Sequence, residues 1–167
     1  YVKGSYGVGT LAGAVISRAG GADTTNIHNC TVFSSEVYGF DGSMTAGGLV
    51  GVVDSRTVLS IANCESKASF IKTDYNAGGL IGAGAQNSSI LVNLCRNSSE
   101  VSVLKGSAGG IIAVADTINI TSSQNLSDAK VSGPESNIDD TQRAIGGIIG
   151  GARAAWITGC ENLGTIN

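Results

Sequence analysis

The chain is poor in the residues that carry most catalytic and nucleic-acid chemistry. It holds a single histidine, His28, so no histidine-rich metal set can be assembled from it, and no Ser-His-Asp arrangement can be argued from it. Its 10 Lys and Arg stand against 13 Asp and Glu and are scattered, with no basic stripe of the kind that follows a phosphate backbone. Nucleic acid is therefore not an expected partner. The longest apolar runs, such as residues 108–115, fall far short of the roughly 20 residues that span a bilayer as a helix, so membrane insertion is not expected either. There is no Cys-x-x-Cys among the 4 cysteines. No window keeps the three-and-four spacing of an amphipathic helix over several turns. These gaps leave no cofactor to expect and argue against an enzyme.

What is present is glycine, 25 residues of it, arranged in a recurring motif. The motif is Gly-Gly-aliphatic-aliphatic-small. It reads Gly47-Gly48-Leu49-Val50-Gly51, Gly78-Gly79-Leu80-Ile81-Gly82, Gly109-Gly110-Ile111-Ile112-Ala113 and Gly146-Gly147-Ile148-Ile149-Gly150, with a degenerate first copy at Ala12-Gly13-Ala14-Val15-Ile16. Counted at the second glycine, the steps are 35, 31, 31 and 37 residues. A period of this size marks a solenoid, whose units bury their apolar faces on one another. Glycine costs about 1 kcal/mol per helix position relative to alanine, and the apolar positions are rich in β-branched Val and Ile, so the units are strands.

A second landmark, aliphatic-x-x-Cys, follows each motif: Ile27 to Cys30, Ile61 to Cys64, Val92 to Cys95 and Ile157 to Cys160, with Ile120 leading to Ser123 in the fourth unit. A third apolar position follows at Val37, Phe70, Val101, Val131 and Ile166. Three short apolar segments per repeat, bounded by turn-forming residues, predict an all-β fold. It is a parallel β-solenoid (a β-helix) of about five coils with three short strands each, wound right-handed as parallel crossovers are. One domain, residues 1–167, is expected. Val2-Lys3-Gly4 resembles the third landmark of a preceding unit, and neither end carries a polar cap. The reading is a segment or protomer of a longer array, with axial or lateral self-association through open strand edges.

Alternation along the strands places Val15, Val50, Ile81, Ile112 and Ile149 inward, with the glycine ladder Gly13, Gly48, Gly79, Gly110 and Gly147 two residues earlier on the same face. The opposite face then carries Ala14, Leu49, Leu80, Ile111 and Ile148. This second apolar column is covered by loops of the same chain, residues 38–45 or 134–143, or forms a contact surface for another chain. Trp156, just before inward Ile157, is the single aromatic residue expected to make an outside contact, within a set that includes Tyr6, Tyr38, Phe40 and Tyr75.

Gly48-Leu49-Val50-Gly51 and Gly79-Leu80-Ile81-Gly82, with Gly147-Ile148-Ile149-Gly150 close behind, resemble the GLUG-motif repeat. Ile61-Ala62-Asn63-Cys64 and Ile157-Thr158-Gly159-Cys160 are similar to that family's second strand. The resemblance implies a parallel β-solenoid in secreted or surface proteins, including adhesins, without a conserved active site.

The cysteines fall at one phase of the repeat. They read as a structural ladder of buried thiols, Cys30, Cys64, Cys95 and Cys160, with bridges between adjacent rungs or metal binding as the alternatives. Asn-x-Ser/Thr occurs at Asn29, Asn87, Asn97, Asn119 and Asn125, which are the candidate N-glycosylation sites. Asp54 and Asp116 share a phase two coils apart, a loose match to an inverting carboxylate pair, but no cluster of Arg, Lys or His accompanies them. An ice-binding surface would need regular ranks of outward Thr, and none stand in phase. The function expected is a structural, extracellular or cell-surface module that forms a fibre, stalk or adhesive surface. A carbohydrate-binding or adhesin domain is the alternative, and a polysaccharide lyase or hydrolase the third.

Overall fold

The computed structural model describes residues 2–4, 6–17, 24–33, 35–39, 45–134 and 144–167. Within them every strand pairing is parallel, and no helix occurs. The chain is a β-solenoid that makes about four turns. About five coils of three strands were expected, and both counts are corrected: each coil contributes to four sheets.

The first sheet stacks Val2–Gly4, Glu36–Gly39, Phe70–Thr73, Glu100–Val103, Lys130–Ser132 and Thr165–Ile166. The second holds the short strands before each glycine pair: Gly7–Gly9, Thr45–Gly47, Asn76–Gly78, Ala108–Gly109 and Ile145–Gly146. The third and widest begins after the pair, at Ala12–Val15, Val50–Val53 and Ile81–Gly84, and continues beyond a turn as Thr24–His28, Val58–Ala62 and Ser89–Asn93. In later coils that turn is gone, and Ile112–Thr121 and Ile149–Thr158 run straight through. The fourth sheet carries the residues after the cysteine phase: Thr31–Phe33, Glu65–Lys67, Arg96–Asn97, Gln124–Asn125 and Glu161–Asn162.

Columns of like residues form as the period requires. Val50 pairs with Ile81, Ile81 with Ile112 and Ile112 with Ile149. Along Val58–Ala62 the inward positions Leu59 and Ile61 are buried and the others are half-exposed. Ile90 and Val92 repeat this pattern on the next coil, as do Ile118 and Ile120 on the one after. A fully buried aliphatic side chain stabilises by about 1.5–3 kcal/mol, so these columns supply most of the drive to stack.

The first repeat sits in a different phase from the one expected. Val8 pairs with Ala46, Gly9 with Gly47 and Ala12 with Val50, so the first copy of the motif is Gly9-Thr10-Leu11-Ala12-Gly13. Val15 stacks on Val53, and Gly13 is exposed and level with Gly51 rather than Gly48. The register is pinned by the tight corner after Gly9, a constraint that outranks the superficial match of Ala12-Gly13 to a glycine pair.

The second correction concerns Leu49, Leu80 and Ile111. These are wholly buried core residues, not a contact surface, and Ile148 is half-buried against the same core. Alternation fails here because the chain bends at Gly48-Leu49, between the second and third sheets, so consecutive residues both enter the core. No covering loop is needed, and residues 40–44 and 135–143, including Phe40, lie outside the described residues.

Candidate functional site: internal ladders and outer faces

The two glycines of each motif do different work. The first of each pair (Gly47, Gly78, Gly109, Gly146) sits where a Cβ would run into the carbonyl of the residue three ahead. For Gly78, that Cβ would lie 2.8 Å from the carbonyl carbon of Ile81 and 3.0 Å from the nitrogen of Ala113 on the next coil. Backbone approaches backbone on both sides, which only glycine allows. The second glycine faces across the interior to the fourth sheet. A Cβ on Gly79 would meet the side chain of Asn97, one on Gly110 that of Asn125, and one on Gly147 that of Asn162.

The space left by the second glycine is filled by an asparagine ladder. Asn97, Asn125 and Asn162 stand in register, and Asn97 and Asn125 are wholly buried. Nδ2 of Asn97 donates to Oδ1 of Asn125 at 2.8 Å, and Nδ2 of Asn125 donates to Oδ1 of Asn162 at 2.8 Å. The outermost amide donates to the carbonyl of Gly164 at 3.3 Å, and Oδ1 of Asn97 accepts from the amide of Ser99 at 3.0 Å. In the preceding coil the position is Ser66, bonded to Ser99 at 2.9 Å, and in the first coil it is Val32. Where the ladder gives out, so does the glycine: Thr10 replaces it, and its Oγ1 is buried without a hydrogen-bond partner. Sequence reading missed this ladder. Its signal was the recurrence of Asn two residues after the cysteine phase, at Cys95-Arg96-Asn97, Ser123-Gln124-Asn125 and Cys160-Glu161-Asn162.

Two of the five sequons therefore lie inside the solenoid. Asn97 and Asn125 cannot carry a glycan in this fold, because each amide is enclosed and bonded to its neighbours along the axis; this corrects their assignment as glycosylation sites. Asn29, Asn87 and Asn119 are exposed.

Cys30, Cys64, Cys95 and Cys160 are free thiols at the corner between the third and fourth sheets, in phase with Ser123. Cys95 donates to the carbonyl of Asn93 at 3.2 Å, Cys64 to that of Ala62 at 3.3 Å and Cys30 to that of His28 at 3.2 Å, and the Ser123 hydroxyl repeats the contact with Thr121 at 2.9 Å. Burial raises the pKa of Cys64 and pushes that of Cys95 up to about 11. Both thiols stay protonated at neutral pH and are poor nucleophiles and poor metal ligands in that state. The residue before each is in the left-handed region throughout: Asn29, Asn63, Leu94, Ser122 and Gly159 have φ between 48° and 63°. Asn and Gly suit this conformation, whereas Leu94 and Ser122 carry strain there.

The acids do not converge. Asp116 accepts from the amide of Asn87 at 2.9 Å and pairs bidentately with Arg153, whose terminal nitrogen lies 2.9 Å away. The Arg153 hydrogen bond holds its carboxyl below the ordinary carboxylate range. Asp54, two coils away, accepts from the amide of Ser55 at 2.7 Å. Three coils are thus clamped around Asp116, at the level where the turn of earlier coils is missing. On the fourth sheet Glu65, Arg96, Gln124 and Glu161 form an outward polar column along an open groove of about 510 Å³, with Gln124 bonded to Glu161 at 2.8 Å. Trp156 is 59% exposed on the outer face of the third sheet.

No protein-family model, curated protein or solved structure matches this chain.

Proposed function

We propose that the chain is a structural β-solenoid module of a secreted or surface-exposed protein. It holds its outer faces along a rigid axis and extends by in-register stacking at its ends. One observation carries this reading: the outermost coils present the same columns that hold the inner coils together. Cys160, Ile157 and Ile166 stand in the phases that Cys30, Ile27 and Val2 occupy at the other end, and both rungs keep one strand edge unpaired among the described residues. Ile157 is 51% and Ile166 47% exposed, although their phase equivalents in inner coils are wholly buried. An open parallel edge with a matching apolar column is a template for another coil. For this chain taken by itself, a second copy supplies one in head-to-tail fashion, a heterologous contact that propagates. The GLUG-like motif and the exposure of Asn29 and Asn87 support a secretory setting. The paired and dispersed acids support a non-catalytic role.

Sedimentation and negative-stain electron microscopy of the chain across a concentration series test the proposal. Elongated particles of constant width that lengthen with concentration are expected, and Ile157→Lys with Ile166→Lys reduces them to monomers. A wild-type chain that stays monomeric at every concentration overturns the stacking mechanism.

A further inference from the structure

Beyond its turn, the outer face of the third sheet carries no Asp, Glu, Lys or Arg among the described residues. Outward positions along Val58–Ala62, Ser89–Asn93 and Thr117–Thr121 hold only Val, Ser, Ala, Leu, Asn and Thr. The flanking strands add Thr, Asn, Ala and Trp, and His28 at the rim is the one titratable group. The first sheet, by contrast, sets Glu36 beside Phe70 and Glu100 beside Lys130, and the fourth sets Glu65 beside Arg96. Next along the strands, Asp116 and Arg153 neutralise each other in their bidentate pair. The face measures roughly 19 Å along the axis by about 17 Å across, from strand spacing and rise.

We propose that this face binds a neutral, extended polysaccharide laid along the solenoid axis. A surface meant for an uncharged partner excludes unpaired charge, because desolvating a charge is costly and a neutral ligand returns nothing for it. Hydroxyl and amide side chains both donate and accept, which matches sugar hydroxyls. The central column supplies the geometry. Leu91 pairs with Asn119 and Asn119 with Trp156, so two exposed apolar side chains stand two coils apart with an amide between them. That separation is about 10 Å by strand stacking. It is close to the disaccharide repeat of an extended β-linked chain, whose alternate sugars present an apolar face to the same side. Trp156 and Leu91 take those faces, and Asn119 takes the hydroxyls of the sugar between.

The test is pull-down of the chain, made without N-glycans because a glycan on Asn119 would stand in this face, with swollen cellulose, chitin and an insoluble β-1,3-glucan. Polygalacturonate serves as the anionic comparison. Retention on at least one neutral polymer is expected, unchanged between 50 mM and 500 mM NaCl because no ion pair is involved (both concentrations set by the assay, across about a threefold change in screening length). Trp156→Ala and Ser60→Glu should each weaken it about tenfold or more at unchanged melting temperature, with Lys72→Glu on the first sheet as a silent control. The inference fails if no neutral polymer retains the chain, if Ser60→Glu leaves retention intact, if salt abolishes it, or if the face instead arrests ice growth in a thermal-hysteresis assay. Binding is read on monomers and assemblies alike, so loss of end-to-end stacking would not mask either result.

Discussion

Replacing Asn125 by alanine tests whether the interior ladder is a stabilising element. The change removes two side-chain hydrogen bonds of 2.8 Å, one from Asn97 and one to Asn162. Each such bond contributes about 1 kcal/mol net, and a buried donor left without a partner costs about 1–3 kcal/mol. Asn97 is the one stranded, since it is wholly buried, whereas Asn162 lies on an exposed rung and rehydrates. A void also opens beside Gly110, where a Cβ would stand 2.7 Å from Oδ1 of Asn125. Together these give a loss of about 3–5 kcal/mol. For a chain of this size the melting temperature should fall by about 6–20 °C. Asn119→Ala is the matched control: it too removes a sequon, but from an exposed outward position, and should shift stability by no more than about 0.5 kcal/mol. Thermal melts followed by far-ultraviolet circular dichroism, on protein made without glycans, read both variants. If they melt together, the ladder contributes nothing to stability and the reasoning fails.

Gly78→Ala should cost about 3 kcal/mol or more or leave the chain insoluble, because the new methyl meets backbone on two coils and nothing there can yield. Gly151→Ala, whose Cβ would find its nearest neighbours at 3.8 Å and 4.0 Å, should be silent in the same melt. Asp116→Asn should lower the melting temperature at pH 7. The folded-state pKa of Asp116 lies below its unfolded value, so its contribution is complete above the unfolded value near 3.8 and disappears as pH falls through the folded one. The gap between wild type and variant should therefore narrow as pH falls below the ordinary carboxylate range, and a gap as wide in acid as at pH 7 would contradict the pairing with Arg153.

How much of this was legible in the sequence follows from which constraint acts locally. The parallel solenoid was readable because Val50, Ile81 and Ile112 recur at equal steps, and in-register stacking is the only way to bury such a column. The inward aliphatics of Val58–Ala62 and Ser89–Asn93 were readable from strict alternation. Alternation misled at Leu49, Leu80 and Ile111, because a bend between two sheets lets neighbouring residues face the same way, and a bend leaves no trace in a hydropathy pattern. The phase of the first repeat was hidden by Thr10, which interrupts the glycine pair, so Gly13 drew the alignment to the wrong register. Asn97 and Asn125 read as surface sequons because asparagine is ordinarily a surface residue; only their common phase with Asn162 distinguished them from Asn119. The binding face depends on which columns point outward together, and no single repeat displays that.

The opposition of glycine and asparagine across the interior can be separated from the demand for close backbone approach, and the last coil is the place to do it. At Gly79 an added Cβ meets both the carbonyl of Gly110 and the side chain of Asn97, so removing the asparagine side chain would not relieve it. At Gly147 the nearest atoms all belong to the Asn162 side chain, with Nδ2 and Oδ1 at 2.5 Å. Gly147→Ala should therefore displace Asn162 from the ladder and cost about 1–3 kcal/mol through its lost bonds. Asn162→Ala removes the same bonds and should cost about as much. The double variant loses nothing further, because the clash and the bonds vanish together, so its stability should match that of Asn162→Ala alone. The two changes then couple by about 1–3 kcal/mol in the direction of rescue. Additive losses would mean that Gly147 is required by its own backbone. The repeat's second glycine would then owe nothing to the asparagine it faces.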